Sequence, residues 1–391
     1  MGLRLILATD ALSPPLTGIG RYAYELATRL PLCGDVEEMR YLGMCAWKGW
    51  AADLRRDDQR SAGAVLGTPA WLARLRNHMA SKPWAVEVYD QVSEVWRSRL
   101  LRQGRGAVYH SPNYFLPAYD GPSVATVHDL SIDRFPETHP AARRRYFELA
   151  FRRSLDRADA LITDSETVRQ ELSADFSVAP QRVTAVPLGV DVSFRPCIKE
   201  ELHPVLERYG LAHGQYMLSV GTLEPRKKLD QLITAYAGLP EQLRALFPLV
   251  LTGASGWLND RAKPLIERGQ AEGWLRYLGF VPQVDLPAIY AGAHAFAMIS
   301  IYEGFGLPLL EAMASGVPVL TSDRSCMPEV TAGAALLVDP DDVAAIREQL
   351  LRLIEDNLWR TDAKACGLKR AATLTWDRCV EQTVEVYRSV V

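Results

Sequence analysis

One stretch decides the fold: Ile301-Tyr-Glu-Gly-Phe-Gly-Leu-Pro-Leu-Leu-Glu-Ala-Met-Ala-Ser-Gly-Val-Pro318. An apolar run, Ala295–Ile299, precedes it, and a second apolar run, Val317–Thr321, overlaps its end. Pro308 suits the first turn of a helix, where its missing N–H leaves no bond unmade, and the helix is expected to run to Gly316. Strand, glycine loop, helix and strand in this order predict a parallel sheet covered by helices.

The same alternation of strand-like and helical patterns continues almost from end to end. It begins with Leu3–Ala8, and a second series begins at Met217–Val220. A run with no clear period, Leu188–Pro196, separates the two series, and a length of 391 residues suits two domains. We therefore expect an α/β protein of two Rossmann-like, doubly wound domains that face each other across a cleft. The expected bounds are 1–190 and 191–374, with a C-terminal helix, 375–391, that crosses back to the first domain.

Composition and charge exclude several classes of protein. A chain with 48% hydrophobic residues is not disordered, and a net charge of −3 creates no field that would attract nucleic acid. The six cysteines are scattered without a C-x-x-C pair, which is typical of reduced thiols. The sequence shows neither a secretory signal nor an uncharged apolar run of about 18 residues. We expect a cytoplasmic location.

The glycine loop is a candidate anion site. It links the carboxyl end of a strand to a helix N-terminus, where free N–H groups and the helix dipole favour an anion such as phosphate. Glu303 and Glu311 are candidate acceptors for sugar hydroxyls, with Glu311 beside a ribose diol. The alternative is that both carboxylates only favour a helix N-terminus and a solvated surface. The N–H groups expected to face the ligand belong to Gly304, Phe305, Gly306 and Leu307.

A basic loop follows a strand at the same predicted edge of the sheet: Val220-Gly-Thr-Leu-Glu-Pro-Arg-Lys-Lys-Leu229. Arg226 can bind a diphosphate through its planar fork, and Lys227 can bind it as a point charge. The alternative is a solvated basic loop that binds nothing. Its position beside the Glu303 loop favours a site.

Loops of the first half also follow predicted strands. Gly18 and Gly20 lie near the start of a helix, where a missing side chain permits close approach of a ligand, but their spacing differs from G-x-G-x-x-G. His128 and Asp129 follow one strand, and His110 begins a smaller loop. Histidines at strand ends in a cleft can hydrogen-bond a sugar, and a structural role is the alternative.

Six motifs together resemble the family of retaining glycosyltransferases with the glycosyltransferase-B fold, which is family four in the usual classification. The resemblance covers nearly the whole chain, and the nearest similar proteins are bacterial mannosyl- and rhamnosyltransferases of O-antigen and other surface polysaccharides. The motifs are Thr17-Gly-Ile-Gly-Arg-Tyr22, His110-Ser-Pro-Asn-Tyr-Phe-Leu-Pro117, Val127-His-Asp-Leu130, Gly221-Thr-Leu-Glu-Pro-Arg-Lys227, Glu303-Gly-Phe-Gly-Leu-Pro-Leu-Leu-Glu311 and Met327-Pro-Glu-Val330.

This resemblance implies a role for each candidate of the first, acceptor-binding domain. Gly18 and Gly20 would approach the donor phosphates and the acceptor. His128 would contact the transferred sugar and stabilise the charge that develops on it. His110 and Asp129 are further candidates for contact with the acceptor or the sugar.

In the second, donor-binding domain, the resemblance implies that Glu303 contacts the donor sugar and Glu311 the ribose. Arg226 and Lys227 would bind the diphosphate leaving group. Some relatives carry a separate arginine where this chain has Thr222, so Arg226 is expected to supply the guanidinium.

The resemblance also implies the type of reaction. The acceptor hydroxyl would attack on the face from which the diphosphate leaves, so the configuration of the sugar is retained. No cofactor is expected. The segment Asp339-Pro-Asp341 fits the D-x-D pattern of metal-dependent glycosyltransferases, but capping of the next helix by Asp341 and Asp342 explains it. We therefore expect no metal.

The donor and acceptor are less closely defined. GDP-mannose is the first expected donor and GDP-rhamnose the second, with a saccharide or a lipid-linked saccharide as acceptor, and a UDP-sugar is the alternative. A nucleotide-sugar epimerase of the same fold would explain the basic loop less well. A non-catalytic sensor of nucleotide sugars would not need the complete set of candidate residues.

The stretch Arg74–Arg105 contains more basic than acidic residues, interleaved with aromatic side chains such as Trp84 and Trp96. This combination suits an anionic membrane surface. A solvated helix whose aromatic residues pack in the core is the alternative. We expect peripheral contact with the cytoplasmic face of the inner membrane.

Overall fold

The computed structural model describes residues 2–12, 16–43, 46–49, 83–254, 256 and 260–391. The chain divides into two compact units. Unit 1 comprises Met1–Leu188 and Trp376–Val391, and unit 2 comprises Gly189–Thr375. Within the basic stretch Arg74–Arg105, residues 74–82 lie outside the described residues.

The strands are numbered along the chain. They are β1 (Leu3–Ala8), β2 (Val36–Leu42), β3 (Trp47–Lys48), β4 (Val108–Ser111), β5 (Ser123–Val127), β6 (Ala160–Thr163), β7 (Val183–Ala185), β8 (Met217–Val220), β9 (Leu249–Thr252), β10 (Leu275–Tyr277), β11 (Ala295–Met298), β12 (Val319–Ser322) and β13 (Ala335–Val338).

The α-helices of the described residues are numbered in the same way. They are α1 (Gly18–Arg29), α2 (Pro83–Leu101), α3 (Ser131–Arg134), α4 (Ala141–Arg157), α5 (Glu166–Phe176), α6 (Lys199–Arg208), α7 (Leu229–Ala237), α8 (Glu241–Leu246), α9 (Ala262–Ala271), α10 (Leu286–Ala291), α11 (Leu307–Ala314), α12 (Met327–Thr331), α13 (Val343–Glu355), α14 (Asn357–Ala371) and α15 (Trp376–Arg388).

The sheet of unit 1 has the strand order β3-β2-β1-β4-β5-β6-β7 in the described part of the chain. Its β2 and β3 pair antiparallel, and the other neighbours pair parallel. Every residue of β4, β5 and β6 is buried. Strands buried on both faces are typical of parallel sheets covered by helices, as the sequence predicts.

The C-terminal helix α15 belongs to unit 1. Trp376, Val380, Val384 and Tyr387 recur at helical spacing and are buried, so α15 packs along one face. The Tyr387 hydroxyl lies 2.7 Å from Nδ1 of His110. The core of unit 1 is therefore completed by residues from the far end of the chain.

His110 belongs to a buried chain of hydrogen bonds. Its Nε2 lies 2.8 Å from the Thr126 hydroxyl, which lies 3.0 Å from the Tyr22 hydroxyl. Burial, with a smaller contribution from His128, lowers the pKa of His110 to about 3, so the ring is neutral. The expected contact between His110 and a sugar does not fit this geometry, because both ring nitrogens already have partners and the residue is only 1% exposed.

We predict that Tyr387→Phe destabilises unit 1 while leaving unit 2 unchanged. The substitution leaves Nδ1 of His110 buried without a partner, which costs about 1–3 kcal/mol. Amide hydrogen exchange should therefore become faster in β4 and α15, with unit 2 as the internal reference. Tyr24→Phe is the control, since none of the described hydrogen bonds involves the Tyr24 hydroxyl. Equal exchange in both variants would contradict the role of Tyr387.

The sheet of unit 2 has the order β10-β9-β8-β11-β12-β13 in the described residues, and its neighbouring strands are parallel. The edge strand β10 is short and ends at Tyr277. The chain leaves the sheet before Gly279, whose φ is +69°, and Phe280 is exposed. Because β8 and β11 are adjacent and parallel, the loops that follow them meet at the same edge, and this position defines the site.

Candidate functional site

The basic loop after β8 forms a short 3-10 turn, Pro225–Lys227. Pro225 occupies its first position, where the missing N–H is no loss. The backbone N–H of Ile301, after β11, donates to the carbonyl of Arg226 over 2.9 Å. This bond fastens the basic loop to the start of the glycine loop, so the two motifs predicted at one edge do come together.

Four charged side chains form a buried cluster at this edge. The Arg226 guanidinium donates to Glu303 through Nη1 and to Glu224 through Nη2, both over 2.8 Å. Nη1 also donates to the carbonyl of Tyr302, and the Lys227 ammonium donates to the other oxygen of Glu303. Two carboxylates thus balance two cations.

The charge state of Glu303 follows from these contacts. Burial by itself raises the pKa of this carboxyl, but Arg226 and Lys227 outweigh burial and lower the pKa to about 2. Glu303 is therefore ionised at neutral pH, with each oxygen bonded to a cation. A charge pair that is buried and fully hydrogen-bonded has a fixed geometry.

The two cations are placed differently. Arg226 is 9% exposed, and its guanidinium is shared by Glu224, Glu303 and the Tyr302 carbonyl. This geometry favours a positioning role for Arg226 over the direct diphosphate contact expected from the sequence. The Lys227 side chain is 13% exposed, close to the 11% of the Arg226 side chain, but its described bond is to Glu303 alone and its side chain is flexible, so its ammonium can turn to an incoming anion.

The glycine loop has the backbone shape expected of an anion site. Gly306 has φ +87°, a left-handed conformation, and immediately precedes α11. It has no side chain to cap the helix. Pro308 has no N–H and the Leu309 N–H donates to the Gly306 carbonyl over 2.9 Å, so the first turn of α11 offers a ligand the N–H of Leu307. Gly304 and Phe305 are buried, and Leu307 is half-buried.

The loop after β12 supports Glu303 from behind. The Ser325 hydroxyl donates to the backbone carbonyl of Glu303 over 2.7 Å, and the Cys326 thiol contacts the same oxygen at 3.1 Å. Ser325 has φ +54°, an uncommon conformation for a residue other than glycine. Such positions persist when the surrounding structure holds them, which is typical of functional sites.

Glu311 lies on the second turn of α11 and is half-buried. Burial, followed by the nearby Glu311 carboxylate, raises the pKa of Tyr290 far above its ordinary value. The carboxylate of Glu311 is therefore close to Tyr290 on α10. Contact between Glu311 and a ribose remains a prediction.

The two aspartates of the D-x-D pattern bind protein cations. Asp341 lies 2.7 Å from Lys228 and 2.7 Å from Arg324, and Asp339 also pairs with Arg324. Helix capping was expected for Asp341, but the cap is Asp342, whose carboxylate accepts from the first N–H groups of α13. Lys228 has φ +51°, a conformation in which asparagine or glycine is more usual. In the described part of the chain, no three His, Cys, Asp or Glu side chains are grouped to hold a metal.

In unit 1, both ring nitrogens of His128 have partners. Nδ1 lies 2.8 Å from the Asp164 carboxylate, and Nε2 lies 2.8 Å from the carbonyl of Pro112. Two acceptors require two N–H donors, which is the protonated form of the ring. Burial alone would lower the pKa of His128, but Asp164 and the Pro112 carbonyl outweigh it and raise the pKa. A sugar hydroxyl could bond to Nε2 only by replacing the Pro112 carbonyl.

The remaining candidates of unit 1 have local roles. Asp129 accepts hydrogen bonds from Tyr114 and from the backbone and hydroxyl of Ser131. Gly20 is buried, and a Cβ there would come within 2.8 Å of the Ala11 carbonyl, so its small size serves helix packing. Gly18 is exposed at the first position of α1, where a ligand could reach its backbone.

Three participants were missed at the level of sequence: Glu224, Asp164 and Ser325. Glu224 stands within the quoted basic loop, and its signal was its position beside two cations. Asp164 directly follows β6 at its carboxyl end, where functional side chains of parallel sheets collect. Ser325 has no comparable local signal.

We predict that Asp164→Asn lowers the pKa of His128 below its ordinary value of 6.5, since burial then lacks its counter-charge. Imidazole NMR titration measures this directly. In the wild type, the raised pKa contributes stability that is complete below pH 6.5 and is lost as the pH rises through the folded-state pKa. The variant should lack this loss. Asp129→Asn is the control and should shift the pKa less; equal shifts would contradict the pairing with Asp164.

The fold and the site together indicate the class of enzyme. The chain has two Rossmann-like units. The second unit carries a glycine loop, a helix N-terminus and a lysine at the carboxyl ends of β8 and β11. These features are typical of nucleotide-sugar glycosyltransferases with the glycosyltransferase-B fold.

Comparison with known proteins gives the family. Residues 54–194 match the model described as Glycosyltransferase Family 4, and residues 210–370 match Glycosyl transferases group 1. The chain is 39% identical over 386 residues to O-antigen chain mannosyltransferase B of Escherichia coli, which covers 99% of this chain and 100% of that protein. The chain belongs to glycosyltransferase family 4 and is a glycosyltransferase.

Solved structures show the same fold. WaaG, a glycosyltransferase involved in lipopolysaccharide biosynthesis, has a TM-score of 0.73 at 17% identity, covering 98% of this chain and 99% of that one. Anabaena Alr3699/HepE in complex with UDP and glucose has a TM-score of 0.69 at 16% identity, covering 99% and 100%. None of the described helices combines the length and apolar composition needed to span a bilayer.

Proposed function

We propose that the protein is a retaining, metal-independent mannosyltransferase. It transfers mannose from GDP-mannose to a saccharide or lipid-linked saccharide acceptor during assembly of a surface polysaccharide. The observation that carries this proposal is the Lys227–Glu303–Arg226 cluster beside the N-terminus of α11. Mannose is supported by the full-length similarity to a mannosyltransferase of O-antigen chains.

The cluster suits a reaction in which a diphosphate leaves. Negative charge grows on the diphosphate as its bond to the sugar breaks, and groups that meet this charge lower the barrier. We assign this role to Lys227 and to the Leu307 N–H at the start of α11. Arg226 holds Glu303 in position toward the sugar, and Glu311 binds the ribose.

Retention is proposed to occur without a covalent intermediate on the enzyme. Glu303 is a carboxylate of the donor site, but both its oxygens are bonded to cations and its pKa is about 2, so it is a weak nucleophile. The acceptor hydroxyl then attacks the anomeric carbon while the bond to the diphosphate breaks. A diphosphate oxygen takes the proton of that hydroxyl.

Independence from metal is supported by the state of the D-x-D pattern. Asp339 and Asp341 are neutralised by Arg324 and Lys228. The positive charge that meets the diphosphate is provided by Lys227 and the helix N-terminus. Activity should survive EDTA, and its loss on EDTA with recovery on manganese would contradict this part of the proposal.

The direct test is transfer from a panel of GDP- and UDP-sugars to a mannose-containing acceptor, with the anomeric configuration of the product read by NMR. Transfer from GDP-mannose with retained configuration supports the proposal. Transfer from a UDP-sugar alone would change the donor, and an inverted product would contradict retention. Nucleotide binding without any transfer or donor hydrolysis would favour a sensor.

We predict that Lys227→Ala lowers kcat by about tenfold or more and changes the donor KM less, because its charge acts mainly in the transition state. Steady-state kinetics with GDP-mannose measures both constants. Lys228→Asn is the matched control, since Lys228 pairs with Asp341 and asparagine tolerates its backbone conformation. Equal kcat values for the two variants would exclude Lys227 from the chemistry.

We also propose peripheral attachment to an anionic membrane through one face of α2. Val88, Val92, Val95 and Trp96 are exposed and lie on the same side of the helix, together with Arg99. Apolar residues beside cations are the pattern of interfacial helices.

The charges around this face are predominantly positive. The acidic residues of α2 are paired with arginines of α4: Glu87 with Arg145, Asp90 with Arg153 and Glu94 with Arg157. Arg97 pairs with Asp10. Exposed cations at the C-terminal end of the face are Arg99, Arg102 and Arg105.

We predict that the protein co-sediments with anionic liposomes at low salt, and less at high salt. Replacing Arg99, Arg102 and Arg105 by serine should weaken binding about tenfold or more, since each cation contributes about 1 kcal/mol. A triple serine variant of Arg4, Lys48 and Arg152, which are exposed elsewhere on unit 1, is the matched control. Recovery in the supernatant under all conditions would contradict the proposal.

A further inference from the structure

A cavity of about 330 Å³ lies in unit 2 at the amino ends of the strands, opposite the Glu303 site. Its walls are the loops that precede β8, β11 and β12 and the first two turns of α14. The side chains relevant to its chemistry are His213, His294, Ser315, Asn357, Arg360 and Lys364.

One face of α14 is turned to the cavity. Asn357, Arg360, Thr361 and Lys364 follow the spacing that places residues on the same side of a helix. Further along the same helix, Gly367 packs against Met313 of α11. Gly367 lies one turn beyond Lys364 on the same face, so this face of α14 lines the cavity at its start and packs against α11 further along.

The lining carries positive charge without a carboxylate. The residues around the cavity include no Asp or Glu, and among the described residues neither Arg360 nor Lys364 forms an ion pair. Arg360 donates to the carbonyls of Leu353 and His294, over 2.7 and 3.0 Å. Burial lowers the pKa of Arg360, which is the effect of removing a cation from water without a counter-charge. An anion in the cavity would offset this cost.

A second observation is the unpaired hydroxyl of Ser315, which is a neutral group. Ser315 is one of the residues that line the cavity, and its buried hydroxyl has no hydrogen-bond partner; the residue is 3% exposed. Such groups are rare in folded proteins, because a lost hydrogen bond costs free energy. The hydroxyl is a ready donor to an anion oxygen.

His294 positions the Arg360 side chain and adds no positive charge to the cavity. Its Nε2 lies 3.2 Å from the carbonyl of Ile354, and its Nδ1 lies 3.3 Å from the guanidinium of Arg360. Burial, with Arg360, lowers the pKa of His294 to about 4, so the ring is neutral and accepts from Arg360.

Arg360 donates to the carbonyl of Leu353 in the last turn of α13, and the terminal carbonyls of a helix attract cations. That effect accounts for part of the role of Arg360. It does not account for the unpartnered hydroxyl of Ser315. Gly316 has φ +70°, and a Cβ there would come within 3.0 Å of the Lys364 side chain, so the glycine leaves room for the lysine beside the cavity.

We propose that this cavity binds a small soluble phosphate monoester, with its phosphate between Arg360, Lys364 and Ser315. A guanidinium and an ammonium on α14, with a hydroxyl just after α11, suit an anion with three terminal oxygens better than a flat carboxylate. The volume is at the lower end of the range for small-molecule sites, so the organic part of the ligand is small. This site is independent of the transferase site.

The test is calorimetric titration of the full chain with inorganic phosphate and with glycerol 3-phosphate at constant ionic strength. Lys364→Gln should weaken binding about tenfold or more, and Ser315→Ala should weaken it severalfold. Lys369→Gln removes an exposed lysine of the same helix that does not line the cavity, and should leave affinity within about twofold. Neither test variant breaks a described hydrogen bond, so folding should be preserved.

Lys227→Gln separates this site from the transferase site and should leave the phosphate affinity unchanged. Absence of binding by the wild type in the millimolar range overturns the proposal, as do equal effects of Lys364→Gln and Lys369→Gln. Loss of binding in Lys227→Gln alone would assign the phosphate to the transferase site. Binding to phosphatidic acid vesicles without binding of the soluble probes would assign the chemistry to a lipid and overturn the proposal.

Discussion

The guanidinium of Arg226, held between Glu224 and Glu303, is the contact on which the rest of the site depends. It joins the loop after β8 to the loop after β11, and the backbone bond from Ile301 to Arg226 repeats the connection. With Arg226 neutralised from both sides, Glu303 retains one oxygen for Lys227. The ammonium of Lys227 is then the mobile charge of the cluster, next to the N-terminus of α11.

The two edges of the sheet in unit 2 differ in the balance between positive and negative side chains. At the carboxyl edge, cations and carboxylates balance, so in the proposed reaction the diphosphate takes Lys227 from Glu303. At the amino edge, Arg360 and Lys364 line a cavity without carboxylates. A balanced cluster releases its product easily, because the internal partner takes the place of the leaving anion.

Much of the donor site could be predicted from local sequence. The glycine loop, the start of α11 and the shared edge of β8 and β11 all follow from short patterns whose physical meaning is local. The division of work between Arg226 and Lys227 could not, because it depends on Glu224 and on the Tyr302 carbonyl across the edge. His110 shows another limit of prediction from the sequence. Its position in a strand leaves open which way the ring points, and only the packing of α15 against β4 shows that it points into the core.

Calorimetric titration of GDP into the wild type, Lys227→Gln and Glu303→Gln tests the central claim most directly. If Glu303 competes with the diphosphate for Lys227, the loss of Lys227 weakens GDP binding by about tenfold or more, whereas the loss of Glu303 leaves it unchanged or tighter. GDP carries no mannose, so a contact between Glu303 and mannose cannot mask the result. GDP binding that weakens equally in both variants, or in neither, would contradict the account.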